Sequence, residues 1–180
     1  MKWFLAFFFM LTLLLVNSGC RHDTVFVPCS DPLLVRDHSL LLYKKTPFTG
    51  RLYGMFDETD TLFVENYKSG VLDGELIKYY KGGTVREKLS YINGRQKGVQ
   101  AGYWDNGNDK FKTFCKGGKT HGVSEGWYRN GVKKWQYEYL AGNQEGVQTE
   151  WGKDGRLHRS YIVNHRKITE LVVTQSCTYK

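Results

Sequence analysis

The sequence predicts an all-β fold, an elongated single antiparallel sheet of stacked β-hairpins, and three observations carry that reading. First, Gly50, Gly74, Gly98, Gly122 and Gly146 lie 24 residues apart each time. A fixed period of that size marks a repeat architecture, in which each unit buries its apolar surface against the next. Second, two more glycine series keep the same register: Gly83, Gly107, Gly131 and Gly155, and Gly70, Gly94, Gly118 and Gly142. Several of these follow Asn or Asp, as in Asn93-Gly94, Asn106-Gly107, Asn130-Gly131 and Asp154-Gly155. Such dipeptides supply the positive φ angles of two-residue type I′ hairpin turns. Third, the chain has 20 glycines, only 3 prolines and 15% aromatic residues, a composition of tight turns between strands rather than of a Pro-rich linker.

The elements follow in chain order. "MKWFLAFFFMLTLLLVNSGC" has a lysine at position 2, an apolar stretch from Trp3 to Val16, and small residues before Cys20. That stretch is short for a membrane span, which needs about 20 residues, and its layout is that of a secretory leader. The Ser-Gly-Cys ending resembles the lipobox of bacterial lipoproteins, although Asn17 stands where that family has leucine. The resemblance implies cleavage before Cys20 and lipidation of its thiol. An ordinary cleaved leader and an uncleaved anchor are the alternatives. The expected divisions are a signal peptide over 1–19, a lipidated tether over 20–32, a repeat domain over 33–174 and a tail over 175–180.

Within the repeat domain, "LVRDHSLLLYKK" reads as half a unit, because Tyr43 stands one period before Tyr67. Each full unit reads as two strands. Counted from its first glycine, the fifth residue is Met55, Tyr79, Tyr103, Trp127 or Trp151. The fifteenth and seventeenth positions hold Leu89, Tyr137, Tyr161, Tyr67, Tyr91 and Tyr139 among others. Residues two apart on a strand share a face, so these two positions are expected to form the packed side. The twelfth and fourteenth positions hold Arg86, Lys88, Lys110, Lys112, Lys134 and His158, and are expected to face water on the other side. Thr59 and Arg166 replace turn glycines in the first and last units, as expected of capping repeats. Leu171 and Val173 keep the phase and are expected to form a closing strand.

Chemistry is sparse. The histidines His22, His38, His121, His158 and His165 lie in no metal-binding spacing, and there is no nucleophile elbow or phosphate-binding loop. No catalytic residue, metal or cofactor is therefore expected, and the chain is read as a non-enzyme. Cys115 replaces tyrosine in a packed column and reads as a small buried hydrophobe. Cys29 and Cys177 lie near opposite ends, and export would permit a disulfide between them. Eleven or twelve strands at about 4.8 Å separate those ends by roughly 50 Å, so a bridge requires the sheet to curl.

The units "GVSEGWYRNGVKKWQYEYLAGNQEG" and "GVQAGYWDNGNDKFKTFCKGGKTHG" resemble the MORN-repeat variant of bacterial proteins, as does "LYKKTPFTG". The resemblance covers nearly all of the chain after the leader. It implies a β-hairpin repeat protein of the YwqK-type group, members of which carry an antitoxin label and are often lipoproteins. It brings no catalytic residues.

The expected function is that of an envelope-anchored scaffold binding another protein, with a toxin as the partner the resemblance implies. The expected location is the bacterial cell envelope, on the periplasmic side of the outer membrane in a Gram-negative cell. The alternative is a binder of envelope glycan or anionic lipid. Tyr103, Trp104, Trp127, Tyr128 and Trp151 would then form an aromatic platform, and Arg86, Lys88, Lys110, Lys112 and Lys134 a basic one. The net charge of +8 favours anionic contacts, but export argues against nucleic acid.

Overall fold

The computed structural model describes residues 24–170. The leader, Cys20, Leu171, Val173, Cys177 and the tail lie outside the described residues. Four strands precede the array: β1 (Phe26–Pro28), β2 (Leu34–Asp37), β3 (Leu40–Tyr43) and β4 (Thr46–Pro47). Unit one is β5 (Gly50–Met55) and β6 (Thr61–Lys68), and unit two is β7 (Val71–Tyr79) and β8 (Val85–Ile92). Unit three contains β9 (Arg95–Gln96), β10 (Gly98–Tyr103) and β11 (Asp109–Lys116). Unit four contains β12 (Lys119–Thr120), β13 (Gly122–Trp127) and β14 (Lys133–Leu140). Unit five is β15 (Asn143–Trp151) and β16 (Leu157–Asn164), followed by β17 (Lys167–Glu170). From β5 to β17 the pairing is antiparallel and follows chain order, with β9 and β12 as short strands off the main path. The predicted stacked-hairpin sheet is therefore the fold.

The turns divide into two rims with different chemistry. Along the first rim, Ser69-Gly70, Asn93-Gly94, Gly117-Gly118 and Ala141-Gly142 all have positive φ at both residues, as type I′ turns require. Along the second rim the expectation of two-residue turns is corrected. Asn106 and Asn130 do not have positive φ, whereas Gly107 and Gly131 do. Gly107 N donates to Trp104 O at 2.9 Å, and Trp104 N to Asn108 O at 2.8 Å. These are three-residue loops, a type I turn followed by a left-handed glycine. The register then slips by one between the fourth and fifth positions, in β10–β11 as in β13–β14. The extra residue is the twelfth of the unit, Lys110 or Lys134 in these two hairpins.

Each rim also binds unit to unit. On the first rim Gly94 N donates to Leu72 O, Gly118 N to Gln96 O and Gly142 N to Thr120 O, all at 2.8–2.9 Å. On the second, Asn106 Nδ2 donates to Arg129 O at 2.9 Å and Asn130 Nδ2 to Lys153 O at 3.2 Å. Buried backbone groups at turns must find partners, and here they find them in the neighbouring repeat.

The packed face contains the expected columns and one more. Tyr67, Cys115, Tyr161 and Val163 are buried at the fifteenth and seventeenth positions. The second position is buried in every unit: Leu52, Leu76, Gln100, Ser124 and Gln148. It stands directly across the hairpin from the fifteenth, as Leu52↔Glu65 and Ser124↔Tyr137 show.

The N-terminal end departs from expectation twice. Residues 26–28, read as tether, form β1, which pairs in parallel with β5. Val27 is buried with Leu41, Phe48, Leu52 and Tyr67 in the core cluster, and burial of such side chains stabilises by about 1.5–3 kcal/mol each. The half-unit around Tyr43 stacks on unit one, with Phe48 6.0 Å from both Tyr43 and Tyr67 between ring centres. Its strands nonetheless hydrogen-bond into a separate three-stranded sheet, β2-β3-β4. That small sheet covers the packed face of unit one.

Candidate interaction surface

The aromatic and basic columns do come together, at the second rim. In units one to four its loops carry an aromatic at the sixth position, where unit five has Gly152, and in units three and four the bulged twelfth residue lies above it. Lys110 Nζ sits 4.7 Å from the centre of the Trp104 ring, and Lys134 Nζ 5.5 Å from Tyr128. Lys112 lies 5.7 Å from Trp127, and Lys133 5.8 Å from Trp151. These are cation–π distances. Each ring thus has an ammonium from its own unit or a neighbouring one.

The same rings also link unit to unit. Tyr80 OH donates to Tyr103 O at 3.1 Å, Trp104 Nε1 to Trp127 O at 3.0 Å, and Tyr128 OH to Trp151 O at 3.0 Å. Partners in this ladder are 23 residues apart. A buried phenol or indole tip needs a hydrogen-bond partner, and the next repeat supplies a carbonyl at the fixed place. Trp104 and Tyr128 therefore act first as connectors.

Within the basic column Lys88 and Lys112 are neutralised by carboxylates, whereas Arg86, Lys110 and Lys134 form no ion pair among the described residues. Lys88 pairs with Glu75 at 2.8 Å, Lys112 with Asp109 at 2.6 Å and Lys133 with Glu125 at 2.6 Å. Those hydrogen bonds hold the Lys88 and Lys112 ammoniums above the usual lysine range. Arg129 pairs with Asp105 at 2.7 Å, joining neighbouring loops. Lys88, Lys110, Lys112, Lys134 and His158 are exposed as expected, while Arg86 is half-buried. The Arg86 Nε is buried without a hydrogen-bond partner.

A second surface was not anticipated. Gly54, Gly102 and Gly126 occupy the fourth position on the packed face, directly across from Phe63, Phe111 and Trp135. The rings lie over the glycines, where a Cβ would come within 2.2–2.4 Å of ring atoms. In units two and five the same pair of positions holds ions instead: Lys78 with Glu87 at 3.0 Å, and Glu150 with Arg159 at 2.7 Å. The pairing is visible in the sequence as an aromatic nine residues after a glycine, once the hairpin register is known. Trp135 stacks on Tyr137 at 4.9 Å and 17°. With Phe111, Thr113, Thr120, Ser124 and Tyr139, Trp135 lines an open depression of about 320 Å³ on the packed face.

The Tyr137 hydroxyl donates to Glu150 at 2.8 Å. Burial, then the adjacent carboxylate, pushes that phenol well above the ordinary tyrosine range. For Glu150, burial acts upward, but hydrogen bonds from Arg159 and Tyr137 outweigh it and the carboxyl is lowered. Cys29 is exposed, and its expected disulfide partner Cys177 lies outside the described residues, while Cys115 is buried. Burial raises the Cys115 thiol, consistent with a packing role. Among the described residues no group of three or more His, Cys, Asp or Glu is placed to hold a metal ion. No protein-family model matches the chain, and no curated protein matches it.

Proposed function

We propose that this chain is a lipid-anchored β-repeat protein of the bacterial cell envelope, attached through Cys20, that binds another protein along its packed face. One observation carries the binding reading. In unit one that face is closed by the sheet β2-β3-β4, whereas around Phe111, Trp135 and Tyr139 it lies open as an aromatic depression. A repeat array offers an extended surface for such recognition. The expected platform residues Trp104, Tyr128, Lys110 and Lys134 satisfy one another and the neighbouring units, which favours the packed face over the second rim. The resemblance to antitoxin-labelled repeat proteins makes a toxin one partner to test; rescue by this chain of a toxic neighbouring gene would support that role.

The experiment is crosslinking and recovery from native membranes. The expected result is one stoichiometric protein, lost when Tyr139 is changed to Ala and Thr113 to Arg, and retained when Lys110 and Lys134 are changed. Background recovery only, or equal recovery with both variants, refutes the reading.

A further inference from the structure

We propose that the first rim of the array, the one with type I′ turns, lies against an anionic lipid bilayer and orients the packed face and second rim away from it. The proposal rests on the anchoring of Cys20 stated above and deepens it. The parallel pairing of β1 with β5 is the starting point. Phe26 stands beside Arg51 and Pro28 beside Tyr53, so β1 runs from the first rim toward the second. The chain before it therefore leaves at the first rim, where Val25 O accepts from Arg51 N at 2.8 Å. Cys20 and Val25 are five residues apart in the sequence. Covalent geometry lets that segment reach no more than about 18 Å. An acyl group on Cys20 brings this rim, and not the opposite one, to the membrane surface.

The charges of the rims agree with that direction. On the second rim, Lys81, Lys112, Arg129, Lys133 and Arg156 are matched by carboxylates, Lys110 and Lys134 lie over the Trp104 and Tyr128 rings, and Lys153 forms no ion pair among the described residues. On the first rim, Arg95, Lys97, Lys116 and Lys119 form no ion pair among the described residues. They are contiguous: Lys116 stands directly across from Lys119, and Arg95 lies over the Gly118 turn as Lys119 lies over the Gly142 turn. The rim's acids are engaged, Asp73 by Asn93 N at 3.0 Å and Glu145 by His165 N at 3.3 Å. Exposed apolar side chains sit among the cations: Ile92, Val99, Val123 and Leu140 are 46%, 60%, 49% and 56% exposed. Cations interleaved with exposed apolar groups suit the headgroup boundary, and a basic patch is what makes a lipid anchor stable.

Vesicle flotation tests this on the mature chain carrying Cys20→Ala, so that no acyl group contributes. The probes are phosphatidylcholine vesicles with and without phosphatidylglycerol. The expected result is binding only with phosphatidylglycerol. At about fivefold per cation, changing Arg95, Lys97, Lys116 and Lys119 together to Gln should weaken it several hundredfold. The Lys110→Gln, Lys134→Gln pair on the second rim should leave it within about twofold, because one rim cannot reach the bilayer while the other lies on it. Far-UV circular dichroism establishes that both variants are folded. Absence of phosphatidylglycerol dependence, or equal weakening by both sets, overturns the proposal. The intact mass of the native protein tests anchoring separately: an unacylated chain refutes the anchor while the vesicle result still decides which rim meets lipid.

Discussion

Replacing Gly126 with alanine should destabilise the protein, although alanine in place of glycine normally stabilises a strand. The added Cβ would lie 2.3 Å from Trp135 Cε2 and 2.4 Å from its Nε1. The indole cannot simply swing aside, because it stacks on Tyr137 at 4.9 Å, and Tyr137 is held by its hydrogen bond to Glu150. Gly126 is not in the left-handed region, so backbone strain does not enter. Overpacking of this kind costs about 1–3 kcal/mol. Removing glycine's excess freedom from the unfolded chain returns about 0.4–1 kcal/mol, so a net loss of roughly 1–2 kcal/mol is expected. The assay is urea unfolding, repeated in a Trp135→Ala background. There the ring is gone, and the same Gly126→Ala change should stabilise. A double-mutant cycle isolates that reversal as a coupling between two contacting groups. Equal effects in the two backgrounds would refute the reasoning that the ring dictates glycine at this position.

Three further outcomes are expected. Gln100→Leu copies Leu52 and Leu76 of the same column, yet should cost about 1–3 kcal/mol in urea unfolding, because Ser90 N loses its acceptor Gln100 Oε1 at 2.9 Å. Ala141→Gly should raise stability by about 1 kcal/mol in the same assay, since Ala141 has φ 51° in a type I′ turn. The Glu150 carboxyl is lowered in the fold, so its contribution is present above its unfolded value of 4.5 and lost as pH falls through the lower folded value. A Glu150→Gln variant should therefore lose stability near neutral pH and show a flatter acid limb in thermal unfolding measured against pH.

Much of the architecture was legible because its causes are local. Asn93-Gly94 is the type I′ turn that the dipeptide predicts. At Asn106-Gly107 the same dipeptide sits in a three-residue loop, because Asn106 is better used in the preceding type I turn, where its side chain reaches Arg129 O of the next loop. The candidate residues were identified as columns, but their role was not. Trp104 resembles a platform ring until its Nε1 is seen bonded to Trp127 O, a contact formed only when two units stack.

The sequence by itself determined the period, the stacked-hairpin sheet and the side of each strand that packs, since glycine conformational freedom and strand alternation act over a few residues. Tertiary structure alone decided which cations are free. Lys112 and Lys133 meet carboxylates, while Arg95, Lys97, Lys116 and Lys119 form no such pair among the described residues. It also decided the direction in which the chain enters the array, through the parallel pairing of Phe26–Pro28 with Gly50–Met55. Both depend on register between segments that no local preference relates, and so on the packed assembly of units rather than on any one of them.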